Sequence, residues 1–183
     1  MFSMILNGAS TGMINKTITV VCDAGPIIHL DELNCLDLLS EFEEIILADT
    51  VWEEINRHRP LALERIKLSL IRSPGEYPSN EPLHTLCRIF SLDAGEVEAL
   101  TITEKNRTAM FLTDDASARL VAEQMGFNVH GTIGILIRSI RKGKRTSEEV
   151  LKILEQLPEK STLFIKPSLL KKVIRRLKDE FQL

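Results

Sequence analysis

The chain has 183 residues, enough for one ordinary globular domain with a sizeable core. Hydrophobic residues make up 44% and charged residues 27%, which excludes a disordered or membrane-embedded chain. Lys and Arg total 23 against 26 Asp and Glu, a net charge of -3, so overall charge does not announce nucleic acid and only local runs bear on it.

The opening stretch MFSMILNGASTGMINK, residues 1–16, lacks the basic start and sustained apolar core of a signal peptide. No run reaches the ~18 apolar residues of a spanning helix. The stretch reads as a disordered leader, with Met13 as an alternative beginning. From Thr17 to Cys22, TITVVC is short and β-branched and predicts a buried strand; DAGPIIHLDEL then turns into a helix, with Pro26 in its first turn, where a missing N–H is harmless. Glu43 to Ala48 predicts a second strand, followed by the helix DTVWEEINRH with Asp49 or Thr50 as its cap.

Residues 60–82 are irregular, one amphipathic piece, ALERIKLSLI, preceding a loop rich in Pro and Gly. Helical spacing returns in LHTLCRIF and in LDAGEVEALTITEK, where Asp93 and Glu96 form a capping box. TAMFLT is the third strand, ASARLVAEQMG a helix stopped by Gly126, and FNVHG a fourth short strand. TIGILIRSIRKG is a helix with Thr132 as cap and Gly143 as stop; TSEEVLKILEQL opens with a second capping box, Thr146 to Glu149. After Pro158 come a brief extended piece and a terminal amphipathic helix. Strands alternating with helices predict a mostly parallel sheet covered on both faces. The three cysteines, Cys22, Cys35 and Cys87, are odd in number, lack CxxC spacing and lie among apolar residues, which points to a reducing, cytoplasmic setting.

Ligands of such sheets gather at the carboxyl ends of the strands. Asp23 closes the first strand and the pair Asp114 and Asp115 closes the third, while Glu54 follows the second strand and Glu96 opens the helix before the third. Five carboxylates are thus expected at one edge. Crowded carboxylates raise one another's pKa, and hard divalent cations balance them and can clamp the oxygens of a phosphodiester. Each acid also has a local explanation: Asp23 and Asp115 as caps, Glu54 as a solvated neighbour of Glu53, Glu96 as a capping-box member, Asp114 as an exposed turn residue. None of these explanations accounts for the shared edge.

No competing site stands out. His29, His58, His84 and His130 have no zinc-ligand spacing, and no phosphate-binding glycine signature or nucleophile elbow occurs. Gly131 to Gly134, GTIG, serves equally as a backbone approach to phosphate or as an ordinary turn. The basic run Arg138, Arg141, Lys142, Lys144 and Arg145 suits an RNA backbone, or else a helix end and solvated loop.

VVCDAGPIIHL, LADTVWEEI, LDAGEVEAL, FLTDDASARLVAEQMGFNVHGTIGIL and RKG, in this order and spacing, resemble the PIN-domain proteins, metal-dependent ribonucleases that include the VapC-type toxins. The resemblance runs from about Thr17 to Lys144. It implies an α/β fold, a three-layer α/β/α sandwich with a central mostly parallel sheet, over residues 17–145. Residues 146–183 would then be a helical extension packing on the same domain. It implies Mg²⁺ or Mn²⁺ held by Asp23, Glu96, Asp114 and Asp115, with Asp23, Glu54, Glu96 and Asp115 as the catalytic acids. The implied reaction is attack by water on an RNA phosphodiester, leaving a 5′-phosphate and a 3′-hydroxyl, in a cytoplasmic homodimer with an antitoxin as partner. Asp115 aligns best with the metal-holding acid.

The sequence departs from the family pattern at Gly25, where many members carry Ser or Thr; Thr113 offers a hydroxyl nearby. It departs again in the long stretch between Arg57 and Leu92 and in the tail after Lys144. A PIN-like scaffold that binds RNA or protein without cleaving is the alternative. A phosphoacceptor domain of receiver type expects its paired acids after the first strand, whereas here they follow the third.

Overall fold

A computed structural model describes residues 18–182; the leader predicted for residues 1–16 lies outside them. Five strands form one sheet: β1 (Thr19–Cys22), β2 (Glu44–Ala48), β3 (Ser69–Ser73), β4 (Met110–Leu112) and β5 (Asn128–His130). Their order is β3-β2-β1-β4-β5 and every pairing is parallel. The register is continuous through the centre, with Val21 opposite Ile46 on one side and Phe111 on the other. The architecture is the expected α/β/α sandwich, its sheet wholly parallel.

Nine helices accompany the sheet among the described residues: α1 (Ala24–Glu32), α2 (Asp49–His58), α3 (Ala62–Arg65), α4 (Glu81–Ile89), α5 (Ala94–Lys105), α6 (Ala116–Gln124), α7 (Thr132–Arg141), α8 (Ser147–Lys160) and α9 (Pro167–Phe181). A 3-10 turn, Leu36–Glu41, leads into β2. The central strands read as unbroken apolar runs because both faces are covered: Val20, Val21, Cys22, Met110, Phe111 and Leu112 are all buried. α5 packs across β2, β1 and β4. α8 and α9 contact each other and contribute Val150, Leu154, Leu157, Leu170 and Leu177 to the same core. The proposed boundary between residues 17–145 and 146–183 falls in the turn between α7 and α8. No helix among the described residues is long and apolar enough to cross a membrane.

The structure differs from the sequence reading in three local places. The irregular stretch contains β3, an edge strand paired with β2 from Ser69 to Ser73. Mostly solvent-facing, it lacks the apolar run that marks a central strand. Helix α2 is capped by neither Asp49 nor Thr50: its N-cap is Ala48. Asp49 instead accepts from Arg72 Nε at 2.5 Å, and Thr50 Oγ1 donates to Glu98 at 2.5 Å. Thr132 is likewise the first residue of α7 and Gly131 its N-cap, because the Thr132 N–H and hydroxyl are both taken by Asp114.

The capping boxes at Asp93–Glu96 and Thr146–Glu149 are present as read. Gly126 and Gly143 follow α6 and α7 with φ of 73° and 67°, left-handed positions that suit glycine.

Candidate active site at the carboxyl edge of the sheet

The strand order reverses at β1: the chain runs outward to β2 and β3, then returns to place β4 on β1's other side. This is the topological switch point, where a crevice opens beyond the strand ends. A cavity of about 400 Å³ lies there, and Asp23, Glu54, Asp93, Glu96, Asp114 and Asp115 all line it. Thus every acid expected at the edge reaches it.

Asp23 follows β1 and caps α1, its Oδ1 accepting from the Ala24 N–H at 2.8 Å and its Oδ2 from the Thr113 hydroxyl at 3.0 Å. It is only 8% exposed. Burial pushes its pKa up to about 7; the two hydrogen bonds oppose that rise, and the charges of Glu54 and Asp93 add to it. Glu96, in the first turn of α5, is also pushed up to about 7, by burial and then by repulsion from Asp93, Asp115 and Asp23, against the bond from the Asp93 N–H. Burial and Asp93 raise Glu54 as well, while His58 and Arg57 pull it back.

The adjacent aspartates are held differently. Asp115 caps α6, with Oδ1 accepting from the Ala118 N–H at 2.7 Å. Asp114 accepts three bonds: Thr132 N–H at 2.8 Å on Oδ1, and on Oδ2 the Thr132 hydroxyl at 2.5 Å and His29 Nδ1 at 2.8 Å. Asp114 therefore ties α1 to the start of α7, while Asp115 keeps Oδ2 without a hydrogen-bond partner among the described residues.

Asp93 and His29 also belong to the lining, beyond the acids expected from the sequence. Asp93, a helix cap in the sequence, faces the cavity and acts on Asp23, Glu54 and Glu96. The signal was its position: a cap on a helix preceding β4 is at the same edge as the strand ends. His29 has no zinc-ligand spacing, and its bond to Asp114 spans 85 residues of sequence, beyond any local signal.

Glycine geometry clarifies two further positions. A Cβ on Gly25 would stand 3.5 Å from His29 and 3.6 Å from Asp114, ordinary contact distances, so the backbone there leaves room for a Cβ. A Cβ on Gly131 would stand 2.5 Å from Asp114 Oδ1, 2.8 Å from Arg119 Nη2 and 2.9 Å from the Thr113 carbonyl oxygen. Only glycine lets α7 begin so close to Asp114.

The acids supply oxygen ligands only, the preference of Mg²⁺ and Mn²⁺. Among the described residues no three His, Cys, Asp or Glu side chains stand close enough to hold one ion as placed. Oε1 of Glu96 and Oδ2 of Asp115 nevertheless accept no hydrogen bond there. Since Asp23 and Glu96 carry raised pKa values, a hard cation suits the chemistry of the donor set.

The basic run lies along the second half of α7 and the turn after it, and none of its residues lines the acid cavity. α7 starts beside Asp114 and spans ten residues, roughly 15 Å, back toward the 3-10 turn that precedes β2. There Arg138 bonds Glu41 at 2.5 Å, Arg145 bonds Asp37 at 2.7 Å, and Lys144 bonds the Ser40 hydroxyl at 2.8 Å. Arg141 lies 3.6 Å from Glu180. The structure does not bring Arg138, Arg141, Lys142, Lys144 or Arg145 to the acids.

A second cavity, about 430 Å³, lies near the same 3-10 turn and is lined by Asp31, Arg65 and Lys67. Its buried acid is already answered: Asp31 pairs with Arg59 at 2.6 Å and Arg65 at 2.7 Å. The unbalanced charge belongs to the carboxyl edge.

A family model described as a PIN domain, DUF3368, matches residues 19–179. No curated protein matches the chain. Among solved structures, the chain is similar to a PilT N-terminus domain protein from the hyperthermophilic archaeon Sulfolobus solfataricus P2, at 16% identity and a TM-score of 0.48, over 67% of this chain and 94% of that one.

Proposed function

Since the chain belongs to the PIN-domain family, typically nucleases that use divalent metal ions, we propose that it is an endoribonuclease hydrolysing RNA phosphodiesters with Mg²⁺ or Mn²⁺. The observation that carries the proposal is the shared cavity in which Asp23 and Glu96 are both pushed to about 7. Such a site holds excess negative charge at neutral pH only with a cation in it.

Asp23, Glu96 and Asp115 would hold the ion, with Asp93 and Glu54 on the wall beside them. Bound there, the ion would supply charge neutralisation at the phosphate and activation of water. Thr113 holds Asp23 in place, and Asp114, which lines the cavity while occupied by Thr132 and His29, would fix its wall. Glu54, which lines the cavity beside them and whose pKa burial and Asp93 raise, would be the carboxylate left to take a proton from the attacking water. A cavity of about 540 Å³ adjoins on the Glu54 and Asp93 side, with Arg57 and His58 in its wall, giving an RNA chain room beyond the acids.

The proposal includes the toxin role, a homodimer, and an antitoxin that silences the protein by covering the acids. A second reading, a PIN-like scaffold that binds without cleaving, is favoured by the lack of three ready-placed ligands among the described residues.

Incubation with unstructured and structured RNA in Mg²⁺, Mn²⁺ and EDTA separates the readings. Metal-dependent cleavage by the purified chain, lost in Asp23→Asn and Asp115→Asn, is the expected result. Cleavage that persists in both variants would sink the carboxylate mechanism, and binding without cleavage in either metal would favour the scaffold.

A further inference from the structure

The segment joining α8 to α9, residues 161–166, crosses the carboxyl edge. Its start is pinned by Glu32, the last residue of α1, which accepts from the Thr162 N–H at 2.7 Å and from the Ser161 and Thr162 hydroxyls at 2.8 and 3.0 Å. Burial disfavours the Glu32 charge, but these bonds outweigh it and hold the carboxyl below its ordinary value. The pinned segment lays Thr162, Leu163 and Phe164 along the acid cavity.

Alternation along this extended segment turns Leu163 and Ile165 toward the core and leaves Phe164 between them 85% exposed. A single exposed apolar residue is ordinary, but this one lines two cavities. One is the acid cavity; the other, about 320 Å³, shares Asp114, Leu163 and Phe164 with it and adds Arg119 and His130. Arg119 donates from Nη2 to the Thr113 carbonyl at 3.0 Å and forms no ion pair among the described residues. An exposed ring and a cation without an ion-paired acid therefore flank the acids on one side.

We propose that Phe164 is a stacking platform for an unpaired RNA base next to the phosphate presented to the acids, with Arg119 contacting a neighbouring phosphate. The assignment rests on the ribonuclease reading and deepens it by naming the two side chains of this chain that would grip the substrate beside the acids. Bases in a duplex have their faces covered by their neighbours, so a protein ring can stack only on a splayed or unpaired base. The basic run supplies no equivalent, because none of its residues lines the acid cavity and Arg138, Lys144 and Arg145 are engaged within the chain.

The test measures affinity for a single-stranded RNA and for the same sequence as a duplex, with Ca²⁺ as the hard cation so that binding is read apart from turnover. Phe164→Ala should weaken single-strand binding by roughly tenfold or more, leaving duplex binding and thermal melting unchanged. Phe164→Trp should retain the affinity and show quenching of its emission by single-stranded RNA beyond that of Trp52 in the parent. Arg119→Gln should reduce the salt slope of binding by about one. Equal single-strand affinity in Phe164→Ala, or no added quenching in Phe164→Trp, overturns the assignment. So does a change in emission produced by concentrating the protein without RNA, which would mark a contact between protein chains. Cleavage assays in Mg²⁺ or Mn²⁺ keep the two levels apart. Cleavage with unaltered Phe164→Ala binding removes the platform and spares the ribonuclease, whereas stacking without any cleavage does the reverse.

Discussion

The Thr113 hydroxyl lies 3.0 Å from Asp23 Oδ2 and accepts the Asp115 N–H at 3.1 Å, so one fully buried side chain fixes the acid after β1 relative to the acids after β4. Thr113→Val keeps the shape and removes both bonds. It should cost about 1–3 kcal/mol of stability and lower activity or metal affinity by roughly 10- to 100-fold. It should also raise the Asp23 pKa, moving the acidic limb of the pH–rate profile upward. Thr113→Ser should restore the profile; an unchanged limb in Thr113→Val would show that the hydroxyl does not govern the acid.

Without metal, Asp23 and Glu96 titrate near 7 in the fold, against ordinary values of 3.8 and 4.5. Over that window the folded state retains protons the unfolded chain has already released, so these groups reduce stability as pH rises from about 4 to 7. Asp23→Asn should therefore melt above the parent at pH 8 in EDTA, and the gap should narrow toward pH 5. Mn²⁺ should raise the parent's melting temperature more at pH 8 than at pH 5. Thermal melts across that pH range check both signs.

The neighbouring aspartates should fail in different ways. Asp115→Asn keeps a competent helix cap, so it should fold normally and lose metal-dependent activity. Asp114→Ala strands the Thr132 N–H and hydroxyl and frees His29, costing about 1–3 kcal/mol. Denaturant melts paired with metal titrations distinguish these outcomes; equal stability loss in both variants would refute the division.

Gly25→Ser should be accepted, since its Cβ meets only ordinary contacts, and it adds a hydroxyl beside the acids. Gly131→Ala drives a Cβ against backbone and should cost about 1–3 kcal/mol. Melting the two variants side by side tests whether the close approach of α7 to Asp114 is structural.

Four strands and the capping boxes were legible because apolar runs and caps are local signals. β3 was not, since an exposed edge strand has its pattern completed only by pairing with β2. The five acids could be placed because strand ends in a parallel sheet share an edge. His29 and Phe164 could not, because their positions depend on contacts across the chain: Asp114 for His29 and the Glu32 anchor for Phe164. The basic run was visible as charge, but its partners Asp37, Ser40 and Glu41 lie about a hundred residues earlier.

The Glu32 anchor also bears on synthesis. A chain emerging from its amino end has all the acids out at residue 115, whereas the segment carrying Phe164 follows only after α8. A domain generally folds as a unit, and Val150, Leu154, Leu157, Leu170 and Leu177 of α8 and α9 belong to the same core as the central strands. The acids therefore take their fixed places together with the segment that Glu32 pins, late in synthesis, and a shorter chain holds neither in its final arrangement.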